Sequence, residues 1–194
     1  MIEKLLFNFE FLLVDFLTAY GFTTILLLIL SIFTKKLFLK EVDDQSNRFI
    51  ALIGIIYIIV WIAATFAEFN SSDEESRTYL LRIMFGAYWF GFWLQPLLWF
   101  SITQLLRLEK IRRNILLRLI FSFLLILSIE RMVIILTSFH RDYLPSSWTM
   151  HSSGIYPSNI FLELVMKISI FLLFVGIFTM ISRKVKKLNQ SRIQ

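Results

Sequence analysis

Long apolar runs separated by short polar stretches make up most of the chain. Five runs have the length and apolar character of membrane-spanning helices, at about residues 5–33, 49–68, 79–106, 115–138 and 158–182. The run at 49–68 is the clearest, because only Gly54, Thr65 and Glu68 interrupt its apolar residues. The sequence therefore predicts one all-α integral membrane domain over residues 1–194, with five transmembrane helices.

The composition agrees with a membrane protein and excludes several kinds of metal site. Of the 194 residues, 57% are hydrophobic and 18% are charged, whereas soluble globular domains carry about 25% charged residues. The chain has no cysteine, and its two histidines, His140 and His151, fall in one polar stretch. We therefore expect no iron–sulfur cluster, haem or other metal to be bound by this chain itself.

Basic residues are distributed unevenly between the two predicted sides of the membrane. Lys and Arg number four in residues 34–48, four in 107–114 and five from residue 183 onward. The opposite side has three, which are Lys4, Arg77 and Arg141. The positive-inside rule therefore predicts an outer N-terminus and a cytoplasmic C-terminus. It also explains the net charge of +6 by contact with lipid headgroups, without a nucleic-acid partner.

Ionisable residues within the predicted spans are the strongest candidates for function, because burying them in lipid is costly. Eight of them are singled out: Glu10, Asp15, Glu68, Arg82, Glu130, Arg131, Glu163 and Lys167. The helical rise places all but Asp15 in the outer half of the membrane. Glu163 and Lys167 are four positions apart, so they are expected to neutralise each other. Two interpretations stay open: the charges hold the bundle together, or they form a proton path or a contact for a quinone headgroup.

Aromatic residues form a stripe along the third run. They recur with a proline at three- and four-residue steps: Tyr88, Trp89, Phe92, Trp93, Pro96, Trp99 and Phe100. Pro96 is expected to kink this helix. The stripe is interpreted either as helix packing around the kink or as a flat slot for a quinone ring or a lipid, with Trp89 and Trp93 in contact with it.

The stretch from Glu130 to Trp148 carries a family resemblance. It reads ERMVIILTSFHRDYLPSSW and resembles the ERxVIxxTSxHRDxLPSSW signature of NrfD-like, polysulfide-reductase-type membrane subunits, in particular the quinol-site subunit of bacterial alternative complex III. One helix earlier, Tyr88-Trp89, Pro96, Trp99 and the basic segment 107–114 resemble the pattern of the same family. The resemblance covers about residues 79–187. It corresponds to the C-terminal helix bundle of such subunits and implies a four-helix bundle plus one helix.

The resemblance implies a multi-pass subunit of a quinol-oxidising respiratory complex in the bacterial inner membrane. In this hypothesis Glu130 accepts a proton from menaquinol or ubiquinol, Arg131 tunes the proton affinity of Glu130, and His140 passes protons outward. Arg141 and Asp142 contact the quinone or a partner. The expected partners are other membrane subunits, including a second half-bundle chain, and an outer subunit with iron–sulfur clusters or a cytochrome. The alternative is a structural or assembly subunit of the same kind of complex that has lost quinone chemistry.

Overall fold

The computed structural model describes residues 2–34, 37–87, 89–128 and 159–191, and these ranges contain helices and no strand. In chain order the helices are α1 (Ile2–Phe33), α2 (Leu37–Ser71), α3 (Glu74–Phe85), α4 (Trp89–Leu105), α5 (Glu109–Arg113), α6 (Ile115–Ile126) and α7 (Ile160–Ser191). The predicted all-α class is thus confirmed for the described part of the chain.

Three of the described helices are long and apolar enough to cross a membrane. Their candidate spans are Asn8–Phe33 in α1, Leu37–Ser71 in α2 and Phe161–Val185 in α7. Each exceeds the roughly 20 residues that a transmembrane helix needs. The chain therefore has the helices of a multi-pass membrane protein, whereas five spans and the orientation of the termini stay predictions.

The second helix begins earlier than its apolar run. α2 starts at Leu37, so most of the stretch 34–48 is helical and is not the loop expected between the first two spans. Lysine, glutamate and leucine in this stretch favour helix, although its charged residues end the apolar pattern. The boundary at residue 49 was wrong because apolar periodicity marks where a helix enters lipid, which need not be where the helix begins.

The third predicted span is divided in two. α3 ends at Phe85, and the backbone of Gly86 is extended. A Cβ atom on Gly86 would lie 2.2 Å from the carbonyl oxygen of Arg82, so this turn requires glycine. After this turn α4 folds back toward α3. The indole Nε1 of Trp93 on α4 donates to the carbonyl oxygen of Met84 on α3 at 3.0 Å. In a continuous helix the backbones of these two residues would lie about 13 Å apart along the helix axis. The expectation of one continuous helix over 79–106 is therefore wrong.

α1 lies at the centre of the described helices and packs against α2, α6 and α7. The core around it is apolar and aromatic, with the ring of Phe16 6.0 Å from that of Phe49 and 6.4 Å from that of Phe171. α2 and α4 approach closely at Gly54, where a Cβ atom would lie 1.9 Å from Thr103 Oγ1. Small residues permit such close contacts between membrane helices.

Candidate functional site

Three charged side chains meet between α1 and α7. Lys167 Nζ lies 2.8 Å from Asp15 Oδ1 and 2.8 Å from Glu163 Oε1. The exposed fractions of these side chains are 15% for Lys167, 9% for Asp15 and 26% for Glu163. We call these three residues the charged cluster.

Aromatic packing brings the two sides of the charged cluster together. On α1, Phe16 follows Asp15 directly; on α7, Phe171 lies one turn beyond Lys167. The ring of Phe16 is 6.4 Å from that of Phe171 and 5.2 Å from that of Phe174. Because these rings hold the helices side by side, the carboxylate of Asp15 faces the ammonium group of α7 at hydrogen-bonding distance.

The cluster confirms one expectation and corrects another. Glu163 and Lys167 pair within α7, as their spacing predicts. Asp15, however, does not lie apart from the other span charges as expected, because it contacts the ammonium group of Lys167 together with Glu163. The candidate span of α1 begins at Asn8 and that of α7 at Phe161. Asp15 and Lys167 therefore lie at similar depths, roughly 10 Å along their helices.

The other predicted span charges do not join the charged cluster in the described part of the chain. Glu10 on α1 is partly buried, whereas Glu68 on α2 is exposed. Arg82 is exposed in the last turn of α3. The remaining sequence-predicted site residues lie outside the described residues: Glu130, Arg131, His140, Arg141, Asp142 and His151.

The aromatic stripe of α4 takes part in helix packing. The ring of Trp93 lies 5.3 Å from that of Trp61 on α2, and the rings of Tyr57 and Trp99 are 5.6 Å apart. Trp99 Nε1 also donates to the carbonyl oxygen of Leu124 on α6 at 3.1 Å. Of the two predicted quinone contacts, Trp93 packs on Trp61 of α2, whereas Trp89 is 55% exposed.

A second set of charges, which the sequence analysis did not single out, ties the beginning of α2 to three other helices. Asp44 accepts from Arg112 Nη1 of α5 at 3.1 Å, and Glu41 pairs with Arg183 of α7. Asp43 pairs with Arg118 of α6, whose side chain is only 8% exposed. Two features of the sequence could have indicated these ion pairs. Arg118 is a base at the fourth position of the apolar run that begins at residue 115, and three acids lie within the basic stretch 34–48.

Buried polar groups continue from this second set into the bundle. The hydroxyl of Tyr20 donates to Asn47 Oδ1 at 2.8 Å, and Asn47 Nδ2 donates to the carbonyl oxygen of Asp43 at 2.6 Å. From α4, Gln104 Nε2 donates to the carbonyl oxygen of Ala51 on α2 at 3.0 Å. These bonds satisfy amide and hydroxyl groups in an apolar interior and fix the register of α1, α2 and α4.

No protein-family model, curated protein or solved structure matches the chain. The resemblance to NrfD-like subunits rests on the residues quoted for it, chiefly the stretch from Glu130 to Trp148.

Proposed function

We propose that the chain is a membrane subunit of a quinol-oxidising respiratory complex of the alternative complex III or NrfD-like type. It spans the bacterial inner membrane five times, with its N-terminus outside and its C-terminus in the cytoplasm. The observation that carries this proposal is the charged cluster, in which Lys167 bridges carboxylates from two membrane helices. Ionisable groups at such a depth are costly and commonly serve proton or ion pathways.

The charged cluster has the chemistry that quinol oxidation requires. A quinol that loses two electrons also releases two protons, so its site needs bases shielded from bulk water. Among the described residues the cluster contains two carboxylates and one ammonium group. An ionised carboxylate there can accept a hydrogen bond from a quinol hydroxyl and then its proton.

The signature stretch supplies the rest of the proposed proton path. Glu130 accepts a quinol proton beside Arg131, and His140 passes it to the outer face. The electrons pass to iron–sulfur clusters or a cytochrome of an outer subunit, and a second half-bundle chain completes the quinone site. Menaquinone and ubiquinone both fit this chemistry.

A structural or assembly role is the second candidate, and two observations favour it. The ion pair between Asp15 and Lys167 fastens α1 to α7, which is a sufficient reason for both residues to be charged. The ring of Trp93 lies against that of Trp61, so part of the predicted quinone slot is used for packing. In this role the chain would anchor neighbouring subunits without touching quinone.

Substitutions in the signature stretch separate the two roles. In the purified complex, we expect Glu130→Gln to slow quinol oxidation about 100-fold, the scale of a lost general base. Arg131→Met is expected to lower turnover as well, with quinone density found near these residues and Trp89. Glu75→Gln, at an exposed residue of α3, is the matched control. Normal turnover of an intact complex with Glu130→Gln would exclude the catalytic role and leave the structural one.

A further inference from the structure

A cleft of about 310 Å³ lies at the end of the bundle where α1 ends and α2 begins. One part of its lining is apolar, and the other is charged. Leu27, Leu28, Leu37 and Leu39 form the apolar part, and Lys40, Asp43 and Arg118 form the charged part. The hydroxyls of Ser31 and Thr34 donate to backbone carbonyl oxygens of α1, so the polar character of the cleft comes mainly from its charged groups.

The charged groups of the cleft leave an excess of positive charge. Arg118 is buried and donates from Nη2 to Asp43, whereas its Nε has no hydrogen-bond partner in the described part of the chain. Lys40 is exposed, and none of the ion pairs among the described residues includes it. Two cations therefore face one carboxylate. A guanidinium and an ammonium group that line one cleft favour an anion there.

The position of the cleft restricts the kind of anion. It lies where the apolar stretch of α1 ends at Phe33, which is the level of phospholipid headgroups for a membrane-spanning helix. Leucine side chains from the last turns of α1 and the first turns of α2 form its apolar wall. A free phosphate ion would gain nothing from that wall, whereas the acyl chain of a lipid would bury apolar surface against it.

We propose that this cleft binds the headgroup of an anionic phospholipid. The phosphate lies between Lys40 and Arg118, and the upper part of an acyl chain packs on Leu27 and Leu28. Asp43 holds the guanidinium of Arg118 in place. The bound lipid joins α1, α2 and α6 at this end of the bundle and makes the stability of the protein depend on anionic lipid.

Lipid titrations of the full chain in detergent test this site. Native mass spectrometry would count bound phosphatidylglycerol and phosphatidylcholine, and thermal unfolding would be followed at each lipid concentration. We expect phosphatidylglycerol to bind and to raise the Tm. Lys40→Gln should weaken its binding about fivefold, the effect of one lysine near an anionic lipid headgroup. The matched control is Lys110→Gln, an exposed lysine of α5 that does not line the cleft, and it should bind like the wild type.

Three results would overturn the proposal. Equal binding of phosphatidylcholine would show that headgroup charge plays no part. Equal weakening by Lys110→Gln would show a general attraction to a basic surface. A Tm shift of the same size with inorganic phosphate alone would show an anion site that does not recognise lipid.

Discussion

Lys167 stands between two carboxylates inside the membrane region, and its removal leaves both without that cation. We expect Lys167→Met to lower the free energy of unfolding by about 3 kcal/mol, because a buried ion pair is broken on one side only. Adding Asp15→Asn and Glu163→Gln should restore much of the loss, since these two carboxylates are then no longer charged.

Denaturant unfolding in detergent measures this effect. Lys184→Met is the matched control, because Lys184 is an exposed lysine of the same helix. It should change the free energy of unfolding by less than about 0.5 kcal/mol. If Lys167→Met is as stable as this control, the charged cluster does not stabilise the bundle.

Gly54 tests the close approach of α2 and α4. A Cβ atom there would lie 1.9 Å from Thr103 Oγ1, so we expect Gly54→Ala to destabilise the protein by about 1 to 3 kcal/mol through overpacking. Gly91 is also helical but has no atom within 4 Å of a built Cβ, so Gly91→Ala is the control and should be neutral or slightly stabilising. Thermal unfolding compares the two variants. Equal Tm values would contradict the close packing of Gly54 against Thr103.

Sequence spacing reveals contacts within one helix more readily than contacts between helices. The pair Glu163 and Lys167 was predictable, because four positions on a helix bring two side chains together. The pairing of Asp15 with Lys167 depends on which helices are neighbours, and hydrophobic periodicity does not determine that. Arg118 was missed because it interrupts an apolar run only once.

At the scale of elements, the beginning of α3 is specified by a side-chain cap. Asp73 is its N-cap, and its side chain accepts from the backbone N–H of Ser76 at 3.3 Å. Hydrogen bonds from the Ser76 side chain and backbone hold the pKa of Asp73 below its usual value. The ionised carboxylate therefore stabilises α3 above the usual pKa of aspartate, and this contribution disappears as the pH falls through the lowered pKa.

Amide hydrogen exchange of α3 can isolate this effect. Asp73→Asn keeps an N-cap acceptor but does not titrate, whereas Glu74 and Glu75 titrate in both proteins. Protection of α3 relative to the Asp73→Asn variant should decrease as the pH falls from about 5 to about 2. A constant difference over that range would show that the ionised carboxylate of Asp73 does not stabilise the helix.

The division between α3 and α4 could not be predicted from hydrophobicity, since apolar residues continue on both sides of Gly86. The deciding feature is backbone geometry, namely the extended conformation at Gly86 and the contact of Trp93 with Met84. α4 alone has 17 residues, about 25 Å of helix, which is shorter than the hydrocarbon core of a typical bilayer. Whether this helix crosses the membrane therefore decides the topology.

At the scale of the whole molecule, the absence of cysteine allows the topology to be measured directly. We expect a single cysteine at Ser72 to react with a membrane-impermeant maleimide in intact cells. A cysteine at Lys110, beyond α4, should react only after permeabilisation. Labelling of both positions from the same side would show that α4 does not cross, and it would reduce the number of spans.

The proposed function depends most on a proton-handling role of the charged cluster. The most direct test is quinol oxidation by the purified complex carrying Asp15→Asn, a change that keeps a hydrogen-bond acceptor for Lys167 but cannot accept a quinol proton. We predict that turnover per assembled complex falls about 100-fold, with subunit content unchanged. Wild-type turnover at equal complex content would contradict the role and assign the charged cluster to holding α1 against α7.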